Sequence, residues 1–200
     1  MVTMVKIIGS VIPAYFIGDF SPAYLCAKLF GKFDIRQKGS GNAGTTNVIR
    51  VMGWRYGAGV FVLDIFKGLL AVWLGNLWGG QIGVVASSFG VVIGHDFPLL
   101  LGFKGGKGIA ATLGVSLFMF PLATLGGVIF FILIVLITKM VSVGSLSFVV
   151  LMLSYTVLTR QSLEVILLAV GLVLLAFLQH RENIQRVLHG EENKLSLGKK

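Results

Sequence analysis

The sequence has 200 residues, of which 56% are apolar and only 12% are charged. A soluble domain carries roughly twice that charged fraction, so we expect a single integral membrane domain over residues 1–200. The net charge of +9 would suggest nucleic acid in a soluble protein, but Lys and Arg also collect in the cytoplasmic loops of membrane proteins. We therefore expect the lipid bilayer, and no nucleic acid, as a partner.

The apolar stretches predict an all-α, polytopic membrane protein with about seven transmembrane helices, because crossing the hydrocarbon takes roughly 20 apolar residues. In chain order, the predicted spans are Val5–Phe30, Tyr56–Leu77, Gln81–Leu101, Gly108–Phe120, Leu122–Thr138, Val143–Leu158 and Ser162–Leu178. Pro121 lies in an apolar region that is too long for one untilted span, which favours two short helices over one long helix. The 27 glycines indicate close contact between helices.

The segments between these spans are polar and strongly basic. Seven spans would leave only Lys6 and Arg160 on one face of the membrane. The opposite face would carry Lys28, Lys32, Arg36, Lys38, Arg50, Arg55, Lys104, Lys107, Lys139, Arg181, Arg186, Lys194, Lys199 and Lys200. The positive-inside rule then predicts an outside N-terminus and a cytoplasmic C-terminus in a cell (inner) membrane, with loops Gly31–Gly53 and Phe103–Gly108 and the tail from His180 facing the cytoplasm.

The first polar cluster is a glycine-rich segment, Lys38-Gly-Ser-Gly-Asn-Ala-Gly-Thr-Thr-Asn47, followed by Arg50. Glycines let backbone N–H groups turn towards an anion, and the hydroxyl groups add donors. Thr46 or Asn47 could also cap the start of a helix, which is another anion site. The order of residues is not that of a Walker loop, and a flexible loop is the alternative interpretation.

The second cluster is Phe103-Lys-Gly-Gly-Lys-Gly108, directly before a predicted helix. Two lysines around two glycines suit a phosphate cradle, and a basic hairpin that merely obeys the positive-inside rule is the alternative. His95 and Asp96 precede it, and we expect a structural His–Asp hydrogen bond there.

The third cluster follows the last span. His180 and Asn183 are three residues apart and would share a helix face, with Arg186 and Glu192 further along the chain. An ordinary charged tail is the alternative interpretation. We expect His180, like Lys104, in an aqueous loop at the membrane face.

Three smaller features complete the polar inventory. Ser142 and Ser145 share a face at the start of the sixth predicted helix, and Asp64 and Lys67 within a span can pair with each other as a structural clamp. The single cysteine, Cys26, allows neither an internal disulfide nor a metal site and is expected to be a small buried apolar residue.

Several motifs together resemble a known family. They are Ser40-Gly-Asn-Ala-Gly-Thr-Thr-Asn-Val-Ile-Arg50, Asp64-x-x-Lys67-Gly68, Gly94-His95 with Phe97-Pro98, Gly102-Phe-Lys-Gly-Gly-Lys-Gly108 and His180-x-x-Asn-Ile-Gln-Arg186. In this order they are similar to the signature motifs of the bacterial acyl-phosphate-dependent glycerol-3-phosphate acyltransferases. The His-x4-Asp motif of the other large glycerolipid acyltransferase class is absent, since Leu100, Gln185 and Lys194 stand at the fifth position after the three histidines.

The resemblance implies a membrane enzyme that acylates the 1-hydroxyl of glycerol 3-phosphate with acyl phosphate and releases phosphate. It implies no metal, no other cofactor and no obligate protein partner. We expect catalytic roles for His180, Asn183, Ser40 and Arg50. The expected phosphate- and substrate-binding residues are Gly41, Asn42, Thr46, Asn47, Lys104, Gly105, Gly106, Lys107 and Ser142. Either His180 or a substrate phosphate oxygen could accept the hydroxyl proton.

A transporter or channel for an anionic metabolite is the competing class. It would also need basic groups near helix breaks, but it would place them near mid-membrane, often in two related halves of the chain. The basic clusters here are predicted at one face, and no repeated halves are evident in the sequence.

Overall fold

The computed structural model of the protein describes residues 1–194, and its regular structure is helical, as the sequence predicts. The positive charges expected at Lys199 and Lys200 lie outside the described residues. Contacts within the chain define two compact units, Met1–Met119 and Phe120–Lys200, and each is described by itself.

The first unit contains six α-helices and three short helical turns. The helices are α1 (Val2–Asp19), α2 (Pro22–Cys26), α3 (Thr45–Met52), α4 (Trp54–Gly79), α5 (Gln81–Asp96) and α6 (Ile109–Met119). A π-helical turn, Ala27–Gly31, continues α2, and 3-10 turns cover Ile35–Gln37 and Leu99–Leu101. The predicted first span is thus interrupted between α1 and α2, because Ser21 accepts a hydrogen bond from the Tyr24 N–H and Pro22 occupies the first helical position.

Glycines bring α1 and α5 into direct backbone contact. A Cβ atom on Gly94 would overlap the carbonyl oxygen of Tyr15, and one on Gly18 would overlap that of Val91. Small residues permit this approach within a membrane protein, as the glycine content predicts. The contact fixes the end of α5, from which the second polar cluster continues.

The second unit contains α7 (Pro121–Thr138), α8 (Val141–Leu158), α9 (Leu163–Gln179) and α10 (Arg181–Leu188). The predicted helix break is confirmed, because α6 ends at Met119 and α7 begins at Pro121. Proline suits a first helical turn, where its missing N–H has no intrahelical partner.

The helices account for five or six membrane crossings by length and composition. Within residues 1–194, five helical stretches qualify, namely Val2–Gly31, Trp54–Gly79, Gln81–Leu101, Pro121–Thr138 and Val141–Leu158. Leu163–Gln179 and Arg181–Leu188, which are bent by 62° at their junction, would make a sixth if they form one span. Helix α6 has 11 residues and reaches only about 16 Å, roughly half of a bilayer core. The protein is therefore a multi-span membrane protein, and the count of seven spans and the orientation of the termini stay predictions.

Candidate active site

The glycine-rich loop of the first unit stands on an apolar cluster. The cluster consists of Ala23, Ala27, Ile35, Ala43, Val48 and Val60. Full burial of an Ile side chain such as that of Ile35 stabilises a fold by about 1.5–3 kcal/mol. The apolar cluster therefore holds the loop against the rest of the first unit. Cys26 packs beside this cluster and is half-buried, so the expectation of a buried cysteine holds only in part.

The side chain of Asn47 holds the loop in shape. Its Nδ2 donates to the carbonyl oxygens of Ile35, Lys38 and Asn42 at 3.2, 2.9 and 3.0 Å. Its Oδ1 accepts a hydrogen bond from the Ser40 N–H at 2.8 Å, and the residue is only 2% exposed. These contacts engage both the oxygen and the nitrogen of the amide. The expected phosphate contact of Asn47 is therefore revised: its side chain stabilises the conformation of the loop.

The expected side-chain cap on the following helix is also wrong. Gly44 occupies the N-cap position of α3, and no side chain makes a cap hydrogen bond there. The other expected residues of this loop are at or near the surface: Ser40, Gly41 and Arg50 are exposed, and Asn42 and Thr46 are half-buried. The side chains of Ser40, Thr46 and Arg50 are thus accessible to an anion that approaches from solvent. The N–H groups of Ser40 and Gly41, in contrast, donate to Asn47 Oδ1 and to the carbonyl oxygen of Lys38.

The Lys104–Lys107 hairpin packs directly on this loop. The carbonyl oxygen of Gly105 accepts hydrogen bonds from the Ala43 N–H at 3.3 Å and from Asn42 Nδ2 at 3.4 Å. Lys104 is exposed and Lys107 is half-buried. The structure thus brings together the first two polar clusters, which are about 60 residues apart in the sequence.

Arg36 links the two short helical turns that precede the loop and the hairpin, Ile35–Gln37 and Leu99–Leu101. Its Nη1 donates to the carbonyl oxygen of Leu101 at 2.6 Å, and its Nη2 lies 2.7 Å from Asp34 Oδ2. The hydrogen bond from Arg36 holds the pKa of Asp34 below its usual range. Asp34 was missed as a site residue, although its position at the start of a short helical turn, two residues before an arginine, is a usable signal.

A buried ionic network lies behind the hairpin. The predicted Asp64–Lys67 pair is confirmed, with Lys67 Nζ 3.0 Å from Asp64 Oδ1 and both side chains at most 5% exposed. His95 Nδ1 lies 3.4 Å from the same carboxylate oxygen. The expected structural His–Asp contact therefore forms with Asp64 on α4 and not with the adjacent Asp96.

In the second unit, Glu192 gathers three polar side chains. Ser142 Oγ and Asn183 Nδ2 donate to Glu192 Oε1 at 2.7 and 2.6 Å, and Arg186 Nε donates to Oε2 at 2.9 Å. Burial alone would raise the pKa of Glu192, but these hydrogen bonds outweigh burial and lower it. The sequence analysis included Glu192 in the third polar cluster but predicted no role for it. Its position explains why Ser142 and Asn183 belong to one cluster.

His180 lies at the junction of α9 and α10 and is only 4% exposed, so the expectation of an exposed aqueous position is wrong. Its Nδ1 lies 2.7 Å from the carbonyl oxygen of Ala176. Because a carbonyl only accepts hydrogen bonds, Nδ1 carries a proton, and a neutral ring then has its basic lone pair on Nε2. This tautomer suits a group that removes a proton.

Comparison with known proteins identifies the family of the chain. The family model for glycerol-3-phosphate acyltransferase matches residues 8–190. A glycerol-3-phosphate acyltransferase of Finegoldia magna is 43% identical over 92% of this chain and 93% of its own length. One of Thermoanaerobacter pseudethanolicus is 41% identical over 91% of this chain and 92% of its own length. The crystal structure of PlsY (YgiH), an integral membrane glycerol 3-phosphate acyltransferase in its glycerol 3-phosphate form, superimposes with a TM-score of 0.90 at 33% identity, covering 95% of this chain and 96% of that one. The chain therefore belongs to the glycerol-3-phosphate acyltransferase family.

Proposed function

We propose that the protein transfers an acyl group from acyl phosphate to the 1-hydroxyl of sn-glycerol 3-phosphate. The products are 1-acyl-glycerol 3-phosphate and inorganic phosphate, and the reaction is the first step of phospholipid biosynthesis. The observation that carries the proposal is the docking of the glycine-rich loop on the Lys104–Lys107 hairpin through Gly105. Two adjacent loops with cationic and hydroxyl side chains suit two phosphate-bearing substrates.

The two loops of the first unit divide the substrates between them. Lys104 and Lys107 hold the phosphate of glycerol 3-phosphate. The expected direct contacts of Gly105 and Gly106 are revised, because their N–H groups donate to the carbonyl oxygens of Asp96 and His95; these glycines shape the turn between the two lysines. The phosphoryl group of the donor binds to Ser40, Gly41, Asn42, Thr46 and Arg50, while Asn47 keeps their loop in shape. Fixed donors of this kind also stabilise the oxyanion and the departing phosphate without reorganisation during the reaction.

The chemical step forms a bond from the acceptor 1-oxygen to the acyl carbon and breaks the bond from that carbon to the phosphate oxygen. The hydroxyl proton passes to Nε2 of His180 or, in a substrate-assisted route, to a phosphate oxygen of the donor. Phosphate is a good leaving group, so no strong acid is needed. Within the second unit, Asn183 and Ser142 are both hydrogen-bonded to Glu192; the catalytic role of Asn183 and the substrate-binding role of Ser142 are what the family resemblance implies.

Donor selectivity tests this function. The purified protein in detergent receives glycerol 3-phosphate with a long-chain acyl phosphate, acyl-CoA or acyl carrier protein, and lysophosphatidate and free phosphate are measured together. We expect turnover with acyl phosphate alone and one phosphate released per acyl transferred. Equal or faster turnover with acyl-CoA would overturn the donor assignment. Uptake of glycerol 3-phosphate into vesicles without acylation would favour the transporter.

The orientation in the membrane requires a separate test. We propose that both loops and the C-terminal tail face the cytoplasm, because the basic residues concentrate there. Single cysteines at positions 38 and 194, introduced after replacement of Cys26, should resist an impermeant thiol reagent in intact cells and react after lysis. Labelling of either position from outside would contradict this orientation.

A further inference from the structure

A chain of buried polar contacts connects the helices of the first unit to the hairpin. It begins at Lys67, whose Nζ donates to the carbonyl oxygens of Gly18 and Phe20 at 3.0 and 2.8 Å and also pairs with Asp64. The two carbonyls lie at the C-terminal end of α1, where backbone oxygens lack intrahelical partners. A cation is favourable at the C-terminal end of a helix, so Lys67 stabilises the end of α1. The same ammonium group holds the Asp64 carboxylate beside it.

His95 carries this chain of contacts onward. Its Nδ1 lies 3.4 Å from Asp64 Oδ1, and its carbonyl oxygen accepts the N–H of Gly106 at 3.0 Å. The neighbouring carbonyl oxygen, that of Asp96, accepts the N–H of Gly105 at 3.2 Å. The last turn of α5 therefore holds both glycines of the hairpin.

The imidazole itself lies against the hairpin. A Cβ atom on Gly106 would overlap Nε2 of His95, and the three atoms nearest to such a Cβ all belong to this ring. One ring nitrogen thus faces Asp64 while the other contacts the backbone of Gly106. A change in the ring's orientation must move the Gly105–Gly106 turn, which lies between Lys104 and Lys107.

We propose that His95 is a positioning residue for the acceptor substrate: its ring, oriented by Asp64 and Lys67, sets the placement of the hairpin that binds the phosphate of glycerol 3-phosphate. The inference rests on the proposed function, since it uses that assignment of the hairpin. His95 is 6% exposed and acts through Gly106, not by contact with substrate. Misplacement of binding groups by about 1 Å is enough to reduce enzyme efficiency by up to about 100-fold.

Two substitutions at His95 test the inference. His95→Leu removes both ring nitrogens, whereas His95→Asn keeps an N–H close to the position of Nδ1. We expect His95→Leu to raise KM for glycerol 3-phosphate about 10-fold while kcat and KM for acyl phosphate stay within about threefold. His95→Asn, which keeps the contact to Asp64 but lacks the ring atoms that lie against Gly106, should recover only part of this affinity. His189→Leu, the same change at an exposed histidine, is the matched control and should behave as the wild type.

A fall in kcat with an unchanged KM would overturn the inference in favour of a chemical role for His95. Equal losses for both substrates, with a lowered Tm in both His95 variants, would also overturn it, since that is the behaviour of a merely structural residue. If the wild type is active with acyl phosphate and Lys104→Ala raises KM for glycerol 3-phosphate, but His95→Leu leaves that KM unchanged, this inference alone fails. An inactive wild type would overturn the proposed function and this inference with it.

A second measurement tests the contact between the ring and the glycine. Gly106→Ala introduces a methyl group that clashes with the His95 ring, so alone it should raise KM for glycerol 3-phosphate about 10-fold or more. His95→Ala removes the ring and leaves space for the methyl group. The two effects on KM should therefore be much less than multiplicative in the double variant. Multiplicative effects would show that the ring does not position Gly106.

Discussion

The amide of Asn183 donates a 2.6 Å hydrogen bond to the carboxylate of Glu192. The same carboxylate oxygen accepts a hydrogen bond from Ser142, and the other oxygen accepts one from Arg186. The side chains of Ser142, Asn183 and Arg186 thus share Glu192 as their hydrogen-bond acceptor. Removing a buried acceptor leaves its donors unsatisfied, which costs more than the net value of the hydrogen bonds.

We therefore expect Glu192→Ala to impair both folding and activity, because it leaves the Ser142 and Asn183 donors without their acceptor. A loss of about 1–3 kcal/mol per unsatisfied group would lower Tm by several degrees. Glu192→Gln keeps an acceptor oxygen but loses the charge that faces Arg186, so its effect should be smaller. Thermal unfolding in detergent checks the order, with Glu191→Gln as the exposed control. Equal Tm values for Glu192→Ala and wild type would contradict this role.

The lowered pKa of Glu192 predicts a dependence of stability on pH. Because the folded-state pKa lies below the unfolded one, the stabilising contribution is fully present above the ordinary value of about 4.3 and is lost as pH falls through the folded-state pKa. The difference in Tm between wild type and Glu192→Gln should therefore be largest near neutral pH and should shrink in the acid range. A difference that stays constant down to pH 3.5 would refute this linkage.

Arg36 contacts Asp34 and the carbonyl oxygen of Leu101 at the same time, and lysine cannot reproduce this planar, multiple contact. Since Arg36 is partly exposed, we expect Arg36→Lys to lower kcat/KM by only about 3- to 10-fold, near the lower limit for a charged hydrogen bond. Steady-state kinetics measure the change. Arg55→Lys, at an exposed arginine of the same unit, should have no effect. A comparable loss in that control would show that the effect is not specific to the contacts of Arg36.

Lys104→Ala should chiefly weaken the binding of glycerol 3-phosphate. The change removes one charged contact to a phosphate remote from the reacting hydroxyl, so KM should rise about 10- to 100-fold while kcat changes little. Lys104 is exposed, and the fold should tolerate the change. Lys28→Ala, which removes the same charge elsewhere in the unit, is the control. A normal KM in Lys104→Ala would mean that the acceptor binds in the other loop.

His180→Asn separates the two possible proton acceptors. Asparagine can donate to the Ala176 carbonyl as Nδ1 does, but it offers no basic nitrogen, so the buried position stays filled and only the base is lost. If His180 is the base, kcat should fall by about 100- to 10,000-fold with KM less affected. His189→Asn is the control at an exposed position. A nearly normal kcat in His180→Asn would assign the proton to a substrate phosphate oxygen.

The sequence by itself determined the class of protein, the break at Pro121 and the Asp64–Lys67 pair. Each of these depends on local properties: the apolar length of a segment, the missing N–H of proline, or a spacing of three residues that puts two side chains on one helix face. The two glycine-rich segments were also recognisable as anion-binding candidates, since their glycines, hydroxyls and lysines are adjacent in the chain.

Tertiary structure decided which polar groups serve a ligand and which serve the fold. Asn47 could equally well have faced a phosphate, but folding brings three backbone carbonyls to its amide. The carboxylate of Asp64 pairs with His95 from another helix, and Glu192 receives Ser142 from 50 residues away. A polar side chain has several possible partners of similar strength, and no local spacing selects among them. The packing of distant segments makes that selection, because it determines which donors and acceptors are within hydrogen-bond distance and shielded from water.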